Sequence, residues 1–237
     1  MNLAKLMEPN VSDVKCQSRA CDQHPTMHFT RVEARRAVEV LNLCDSHSKL
    51  HFREHYNEYC SPLRIGQGRP LTVGNGVAFD IDFVFFDELQ EPRPWGRCHV
   101  ELLEVGGQRR LGFDIGVSEC GALDRELQGY PSPRPMTHHA MAGAISSLGG
   151  RLQYVEIDKF YPPQRAYEAK LHVQQMNSDV VVDLRPSDGL VLAVISGVPI
   201  IVSNDVLRAL AETQQIEGVG PPAGTMTGTM GQNDFPG

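Results

Sequence analysis

The chain of 237 residues has no apolar run that approaches the roughly 20 residues needed to span a membrane. Residues 1–10 also lack the apolar core of a signal peptide. We therefore expect a cytoplasmic protein. Positive charge is scarce as well, because 22 Lys and Arg stand against 29 Asp and Glu, a formal net charge of −7. This balance disfavours a strongly basic nucleic-acid-binding protein.

The common catalytic signatures are missing too. The chain has no phosphate-binding loop, no Gly-x-Ser-x-Gly elbow and no His-Glu-x-x-His helix. Charge is also uneven along the chain. Residues 1–76 hold 10 basic and 8 acidic side chains, whereas residues 77–237 hold 12 and 21. A protein that bound a polyanion through its second part would need local positive patches or metal ions.

Cysteines are few, and most of them lie near the start. In a cytoplasmic protein, six cysteines favour metal ligation or buried thiols over disulfides. Cys98 and Cys120 have no nearby partner in the sequence that could share a metal, so we interpret both as small core residues.

Three of the other cysteines, together with a histidine, form a pattern typical of a zinc site. Cys16 and Cys21 form one close pair, and Cys44 and His47 form a second. Residues 27–43 between the pairs can fold as a hairpin that brings the four donors together, as tetrahedral zinc requires. We predict structural Zn²⁺ here, bound by a module whose core is too small to fold alone. The alternative is scattered cysteines beside exposed histidines.

This segment resembles the small zinc-binding modules of bacterial regulators of stress proteases. The resemblance lies in residues 26–30, which match a Thr-x-His-x-Thr-like strand, and residues 43–47, which match a Leu-Cys-x2-Cys knuckle. The departures are the wider first pair and His47 in place of the last cysteine. By this analogy, His28 lies on the strand and is not a ligand.

Composition and periodicity divide the chain into five parts. The Gly- and Pro-rich stretch before residue 77 is typical of a linker. The Gly/Pro/Thr/Met-rich end of the sequence is typical of a disordered tail, because it cannot bury enough apolar surface to become ordered. The predicted parts are a flexible leader (1–15), a zinc-binding module with a trailing helix (16–60), a linker (61–76), a second domain (77–212) and a disordered tail (213–237).

The second domain reads as an α+β fold. Phe79 to Phe85 alternate with acidic residues, as in a strand with one buried face. A hairpin over residues 98–115 and a helix over residues 116–129 follow. A regular alternation of apolar and polar residues over positions 167–173 predicts a strand with one solvent-exposed face. We therefore expect a mixed, partly antiparallel sheet with packed helices.

A polar corner follows the next strand. Val180 to Val182 are β-branched, as in a buried strand. Pro186 ends that strand, and residues 190–195 form an apolar helix that Gly197 closes. Asp183, Arg185 and Asp188 thus place two carboxylates and a guanidinium at one turn.

Three motifs in order resemble the bifunctional nuclease family over residues 79–210. Residues 183–188 match its Asp-Ala-Arg-Pro-Ser-Asp signature, with Leu184 in place of alanine, and Gly189 also replaces an alanine. Residues 115–120 match Ile-Gly followed by a helix near Glu-Ala, with Cys120 in place of alanine. Residues 133–139 match Pro-Arg-Pro-x-Thr-His-Asp, with His139 in place of the acid.

The resemblance implies hydrolysis of phosphodiester bonds in RNA or DNA, with Mg²⁺ or Mn²⁺ as the expected metal. Suitable groups stand in the motifs: Asp183 and Asp188 to hold a metal or activate water, and Arg185 and Arg134 to bind phosphate. His138 would move a proton.

Glu119 is a further candidate carboxylate in these motifs. Thr137 and Ser187 are expected to cap helices or to support the site. The alternative is that these residues only stabilise the fold. Asp183 and Arg185 would then form a buried ion pair, and Ser187 and Asp188 would cap the helix.

Two other function classes remain open. The protein could be a non-catalytic adaptor that binds protein partners through the zinc module or the tail. It could also sense a small ligand or nucleic acid without turnover. The negative charge of the second part favours these two classes, and the resemblance favours the nuclease. We also expect a homo-oligomer.

Overall fold

A computed structural model describes residues 15–51, 71–87 and 97–216. The predicted tail and leader lie outside these ranges, apart from their innermost residues, and so does most of the predicted linker. The strands are β1 (Met27–Glu33), β2 (Arg36–Leu43), β3 (Thr72–Val73), β4 (Gly76–Asp87), β5 (Arg97–Glu104), β6 (Arg110–Ile115), β7 (Gly150–Tyr161), β8 (Ala166–Gln175), β9 (Ser178–Leu184) and β10 (Ile200–Ser203). The helices are α1 (residues 45–51), α2 (Val117–Gln128), α3 (Thr137–Ser147), α4 (Pro186–Ser196) and α5 (Asn204–Ile216).

These strands form one mixed sheet in the order β2-β1-β4-β10-β7-β8-β9. Strand β3 pairs with β4, and β5 and β6 extend the sheet from β4. Among the described strands, only β10 and β7 pair in parallel, and every other pair is antiparallel. The predicted α+β fold with a mixed, partly antiparallel sheet is confirmed.

The core lies between this sheet and helices α2 and α4. Helix α4 is apolar around most of its circumference, and Leu190 and Leu192 are fully buried. Each such leucine contributes about 1.5–3 kcal/mol relative to an exposed one. Pro186 occupies the first turn of the helix, and Gly197 ends it with φ of 65°, a left-handed conformation that favours glycine. No helix in the described parts of the chain is long and apolar enough to cross a membrane.

The N-terminal hairpin shares the sheet with the rest of the fold. Strand β1 pairs with β4 through residues 27–31. At the hairpin tip, Arg35 donates from Nη1 to the carbonyl oxygens of Ala193 and Val198 at the end of α4, at 3.0 and 2.5 Å. Its Nε atom also bonds Asp80 at 2.9 Å. The predicted zinc module and second domain are therefore joined both by strand pairing and by this arginine.

Strand β9 does not have the burial expected from its valines. Val180, Val181 and Val182 are 39, 49 and 45% exposed. The reason is the position of the strand: among the described strands, β9 pairs only with β8 and ends the sheet. The prediction of a buried strand is wrong, because β-branched residues also suit an exposed edge.

Cys98 and Cys120 are buried core residues, as predicted, but they are not free thiols. A disulfide joins them and so links β5 to the first half of α2. The expectation of free thiols came from the redox environment assigned to the chain, and sequence spacing offered no sign of the pairing.

The helix caps also differ from expectation. Met136 precedes α3 and Arg185 precedes α4, and neither position has a side-chain cap hydrogen bond. Thr137 is the first helical residue of α3, and Ser187 is buried inside the first turn of α4. Neither residue therefore caps its helix. Asp188 does lie in the first turn, as predicted.

Candidate functional site

The four predicted zinc ligands lie together. One donor atom from each of Cys16, Cys21, Cys44 and His47 falls within 4.8 Å of the others. His47 Nδ1 is 3.5 Å from Cys16 Sγ and 3.2 Å from Cys44 Sγ, and the sulfur atoms of Cys21 and Cys44 are 3.9 Å apart. Three thiols and one imidazole in this arrangement can hold a metal ion, and the set is the one that closed tetrahedral zinc sites use.

Two local structures bring these ligands together. Cys44 directly follows β2, and α1 places His47 three residues further on. On the other side, the turn after Cys16 is closed by a hydrogen bond from Cys21 N to Ser18 O. Burial raises the pKa of the Cys16 thiol, but hydrogen bonds from the Cys44 and Ser18 backbone and from neighbouring thiols outweigh it and lower the pKa to about 7. A thiol that ionises this readily is a good metal ligand.

A second cluster lies where the first turns of α2, α3 and α4 meet. Arg185 donates from Nε to Asp188 Oδ2 at 2.8 Å and from Nη2 to Glu119 Oε1 at 2.5 Å. The Arg185 side chain is still 65% exposed, while Glu119 and Asp188 are 14 and 20% exposed. The two carboxylates thus fix the guanidinium while one side of it stays open to solvent.

His138 completes this cluster from α3. Its Nε2 atom lies 3.0 Å from Asp188 Oδ1, and its side chain is 12% exposed. Burial raises the pKa of Asp188, but the hydrogen bonds from Arg185 and His138 outweigh this effect and hold the pKa below its usual range. Asp188 therefore stays ionised and orients both neighbours. Glu119 and Asp188 also lie in first turns, where the helix dipole favours negative charge.

The structure does not bring Asp183 to this cluster. Asp183 is exposed on β9 opposite Lys170, while its neighbour Leu184 packs toward α4. Side chains alternate along a strand, so Asp183 lies on the face opposite Leu184. The described carboxylates that Arg185 bonds are Asp188 and Glu119, and Asp183 is not among them. The alternative of a buried Asp183–Arg185 ion pair is wrong, because Arg185 is exposed and bonds Asp188 and Glu119 instead.

Arg134 and His139 flank the cluster. Arg134 is exposed just before α3, and its guanidinium makes no ion pair with any described residue. His139 Nε2 lies 3.4 Å from Glu126 Oε1, so the histidine that replaces an acid in the third motif joins α3 to α2.

A groove runs beside Arg185, with a volume of about 690 Å³. Its walls are the β5–β6 hairpin, the turn between β7 and β8, and residues 185–187. His99 and Asp114 lie in the first wall and Arg165 in the second. The motifs did not point to these residues. The available signal was the hairpin register, which sets His99 opposite Asp114.

Within residues 15–51, 71–87 and 97–216, only the N-terminal cluster brings three or more metal-ligand side chains together. The carboxylates around Arg185 are separate, and each already accepts hydrogen bonds from this arginine.

Comparison with known proteins agrees with the motifs. Residues 100–215 match the model of a family described as the bifunctional nuclease domain, so the resemblance is confirmed over these residues. Two similar proteins of Mycobacterium tuberculosis are Uncharacterized protein MT1877, of strain CDC 1551 / Oshkosh, and Uncharacterized protein Rv1829, of strain ATCC 25618 / H37Rv. Each is 37% identical over 106 residues, which cover 45% of this chain and 62% of the relative. The chain thus spans less than two thirds of these relatives' length.

Proposed function

We propose that the protein is a nuclease that hydrolyses phosphodiester bonds in RNA or DNA, with its active site at Arg185. The observation that carries the proposal is the Arg185 guanidinium, which two carboxylates hold in place although it is 65% exposed. One of these carboxylates, Asp188, also binds His138. A phosphate-binding cation and an oriented imidazole are two groups that can serve this hydrolysis, and both lie in the segment that matches the nuclease domain.

We assign each residue a role that its contacts support. Arg185 binds the phosphate, and Glu119 keeps its fork oriented. Asp188 holds His138, which donates a proton to the leaving oxygen as water adds to phosphorus and the bridging P–O bond breaks. The attacking water releases its own proton to the surrounding solvent, from which His138 is reprotonated. Arg134, exposed before α3, provides a second cation for the phosphate.

The charge of the cluster favours a bound divalent cation. Arg185 carries one positive charge, and Glu119 and Asp188 carry two negative ones, so the site repels a polyanion unless a cation offsets it. We propose Mg²⁺ or Mn²⁺ for this role. The described residues gather no set of three ligands here, and Asp183 is not among the carboxylates that bond Arg185. Phosphate binding and proton transfer are therefore assigned to Arg185, His138 and Asp188.

The test is digestion of fluorescent single- and double-stranded RNA and DNA with Mg²⁺, with Mn²⁺ and with EDTA. The informative variant is Asp188→Asn, which keeps the shape of the side chain and removes its charge. Asp205→Asn is the matched control, because Asp205 lies on α5 and its ion pair within the described part of the chain is with the exposed Arg208. The site is supported if a folded Asp188→Asn variant loses cleavage while Asp205→Asn keeps it. Equal cleavage by all three proteins refutes it.

We further propose that the N-terminal cluster binds structural zinc. The four ligands leave no open position for a substrate, and the hairpin that carries them joins the main sheet. Zinc there would hold residues 15–51 together and so stabilise the edge of the sheet.

A non-catalytic adaptor is the second candidate, and the open edge of β9 favours it. Three exposed valines lie on a strand that has no partner on its outer edge among the described strands, and they form a surface suited to another chain. A second copy of this protein would give the expected homo-oligomer. Light scattering on a Val181→Lys variant tests this, since a dimer that uses β9 should become a monomer.

A further inference from the structure

A second cleft lies on the sheet and has no lining residue in common with the groove beside Arg185. Its volume is about 440 Å³, which lies within the range of small-ligand sites. Tyr154 on β7 and His172 on β8 line it, and the strand register sets these two residues opposite each other. Pro199, before β10, and Asp179, on β9, also line the cleft. The cleft therefore extends from the start of β10 across β7 and β8 to β9.

An aromatic pair in the cleft provides a surface for stacking. The rings of Tyr154 and His172 are stacked, with 4.0 Å between their centroids and 16° between their planes. His172 Nε2 lies 2.9 Å from Glu156 Oε2, and this bond fixes the imidazole. The adjacent residues Val155 and Leu171 are buried in the core, so the aromatic pair lies on the opposite face of these strands. A planar ring can stack on such a pair.

Two polar groups of the cleft are available to a ligand. The Tyr154 hydroxyl and the exposed Asp179 carboxylate make no hydrogen bond or ion pair within the described part of the chain. Burial raises the pKa of Tyr154, and the charges of Glu156 and Asp179 raise it further, so the hydroxyl keeps its proton and can donate. The carboxylate of Asp179 can accept two hydrogen bonds side by side. The cleft thus offers one donor and a double acceptor.

The charges around the cleft give no excess of positive charge that would select an anion. Asp179 and Glu156 are negative, and Glu156 already bonds His172. Arg151 is the positive neighbour, since the strand register aligns it with Asp179 through Gln174, whose side chain it bonds. Even with His172 protonated, these four groups only balance. A phosphate therefore gains no net attraction here, and an uncharged ligand with several N–H donors fits better.

We propose that this cleft binds a guanine base, which stacks on the Tyr154–His172 pair and bonds Asp179. Guanine has two N–H donors side by side, at N1 and at its 2-amino group, and one carboxylate accepts both. The guanine O6 atom lies on the same edge and accepts a hydrogen bond from the Tyr154 hydroxyl. Adenine has an acceptor at N1 and no 2-amino group, so it cannot make this pair of bonds.

This inference does not depend on the proposed nuclease function, because the cleft shares no lining residue with the groove beside Arg185. The same base occurs in a free nucleoside and in a nucleic-acid strand. The chemistry of recognition is common to both sources, and the experiment separates them by comparing guanosine with a guanine-containing strand.

The experiment measures binding of guanosine, inosine and adenosine to the full chain by isothermal titration calorimetry, without added Mg²⁺ or Mn²⁺. Guanosine is expected to bind with a dissociation constant of about 0.1 mM. Inosine lacks only the 2-amino group and should bind about 10-fold more weakly, and adenosine should bind more weakly than guanosine as well.

Two variants test the assigned contacts. Asp179→Asn should weaken guanosine binding about 10-fold and bring guanosine and inosine close together, because an amide cannot accept both donors. Tyr154→Phe keeps the aromatic ring and should weaken guanosine binding about 5-fold. Asp205→Asn is the control and should bind like the wild type, since Asp205 lies on α5 and pairs with the exposed Arg208.

A single strand of about 6 nucleotides with one guanine, and the same strand with inosine in its place, identify the source of the base. Binding of the guanine strand that is tighter than binding of guanosine, and that Asp179→Asn weakens, upholds the cleft as a site for a strand. Guanosine that binds at least as tightly as the strand upholds it as a nucleoside site. The inference is overturned if no guanosine binds at about 1 mM, if inosine binds equally well, or if Asp179→Asn binds like Asp205→Asn. Guanosine binding in a protein that never cleaves would uphold the cleft and leave the nuclease refuted.

Discussion

Thr30 of the N-terminal hairpin donates a 2.6 Å hydrogen bond to Asp124 Oδ1 on α2. His28, on the same strand, lies 3.2 Å from the other oxygen of that carboxylate, and Gln128 also donates to it. Burial raises the pKa of Asp124, but these hydrogen bonds outweigh it and lower the pKa. The hairpin that carries the metal ligands is thereby bonded to the helix that carries Glu119.

Thr30→Val is therefore expected to destabilise the protein. The change keeps the shape of a fully buried side chain and removes one donor to an ionised carboxylate. We expect the free energy of unfolding to fall by about 1–3 kcal/mol. Urea unfolding measures it, with Thr72→Val on exposed β3 as the control. Equal stability of the two variants would mean that the bond contributes nothing.

The purified protein should contain about one zinc ion per chain. Cys44→Ser should lose the metal and lower the melting temperature, because the remaining ligands no longer close the site. His24→Asn should keep the metal and the wild-type melting temperature, since His24 is exposed and lies outside the cluster. Elemental analysis and thermal unfolding with and without a chelator give the readout. A metal content unchanged by Cys44→Ser would contradict the site.

Arg185→Lys should reduce cleavage about 100-fold while leaving the fold intact. Lysine keeps the charge, but a single ammonium group cannot bond Glu119 and Asp188 in the geometry of the guanidinium fork. Arg151→Lys is the control, since Arg151 is an exposed residue of β7 that bonds Gln174. The measurement is the initial rate of cleavage of the preferred substrate. Equal rates for the two variants would show that Arg185 has no role in the mechanism.

The contribution of His99 to stability should decline with rising pH. Asp114 and Glu101 bond its ring, Phe83 lies beside it, and Arg110 stands 3.8 Å from Glu101. The pKa of His99 in the folded protein is raised above 6.5. A raised pKa gives stabilisation that is complete below 6.5 and is lost as pH rises through the folded value.

Urea unfolding of the wild type and of a His99→Gln variant should therefore differ most near pH 5.5 and less near pH 8.5. The exposed His24→Gln variant should match the wild type throughout. A difference that grows as pH rises would reverse the assigned sign.

Loss of the Cys98–Cys120 disulfide should destabilise the fold by about 3 kcal/mol, because the bond closes a loop between residues 22 positions apart. Cys98→Ala with Cys120→Ala tests this by denaturant unfolding. The wild type in reductant should approach the double variant, while the variant itself should not respond to reductant. Equal stability with and without reductant in the wild type would indicate that the bond does not form in solution.

The local sequence pattern by itself determined several elements of secondary structure and the set of metal ligands. Alternation over residues 79–85 predicted β4, and glycines at 129 and 197 marked the ends of α2 and α4. The spacing of the two cysteine-containing pairs predicted a ligand cluster that the fold does bring together. These features depend on neighbouring residues, whose backbone geometry and burial follow from a few positions of sequence.

Only the tertiary structure decided the rest, because it depends on which distant segments meet. Strand order placed β9 at the edge, and the packing of α2 near α4 paired Arg185 with Glu119 and not with Asp183. Pairing of β5 with β6 set His99 beside Asp114, and the packing of α2 on β5 joined Cys98 to Cys120. A strand carries the same alternation whether it lies in the middle of a sheet or at its edge. Its sequence alone therefore cannot say which neighbours its side chains will meet.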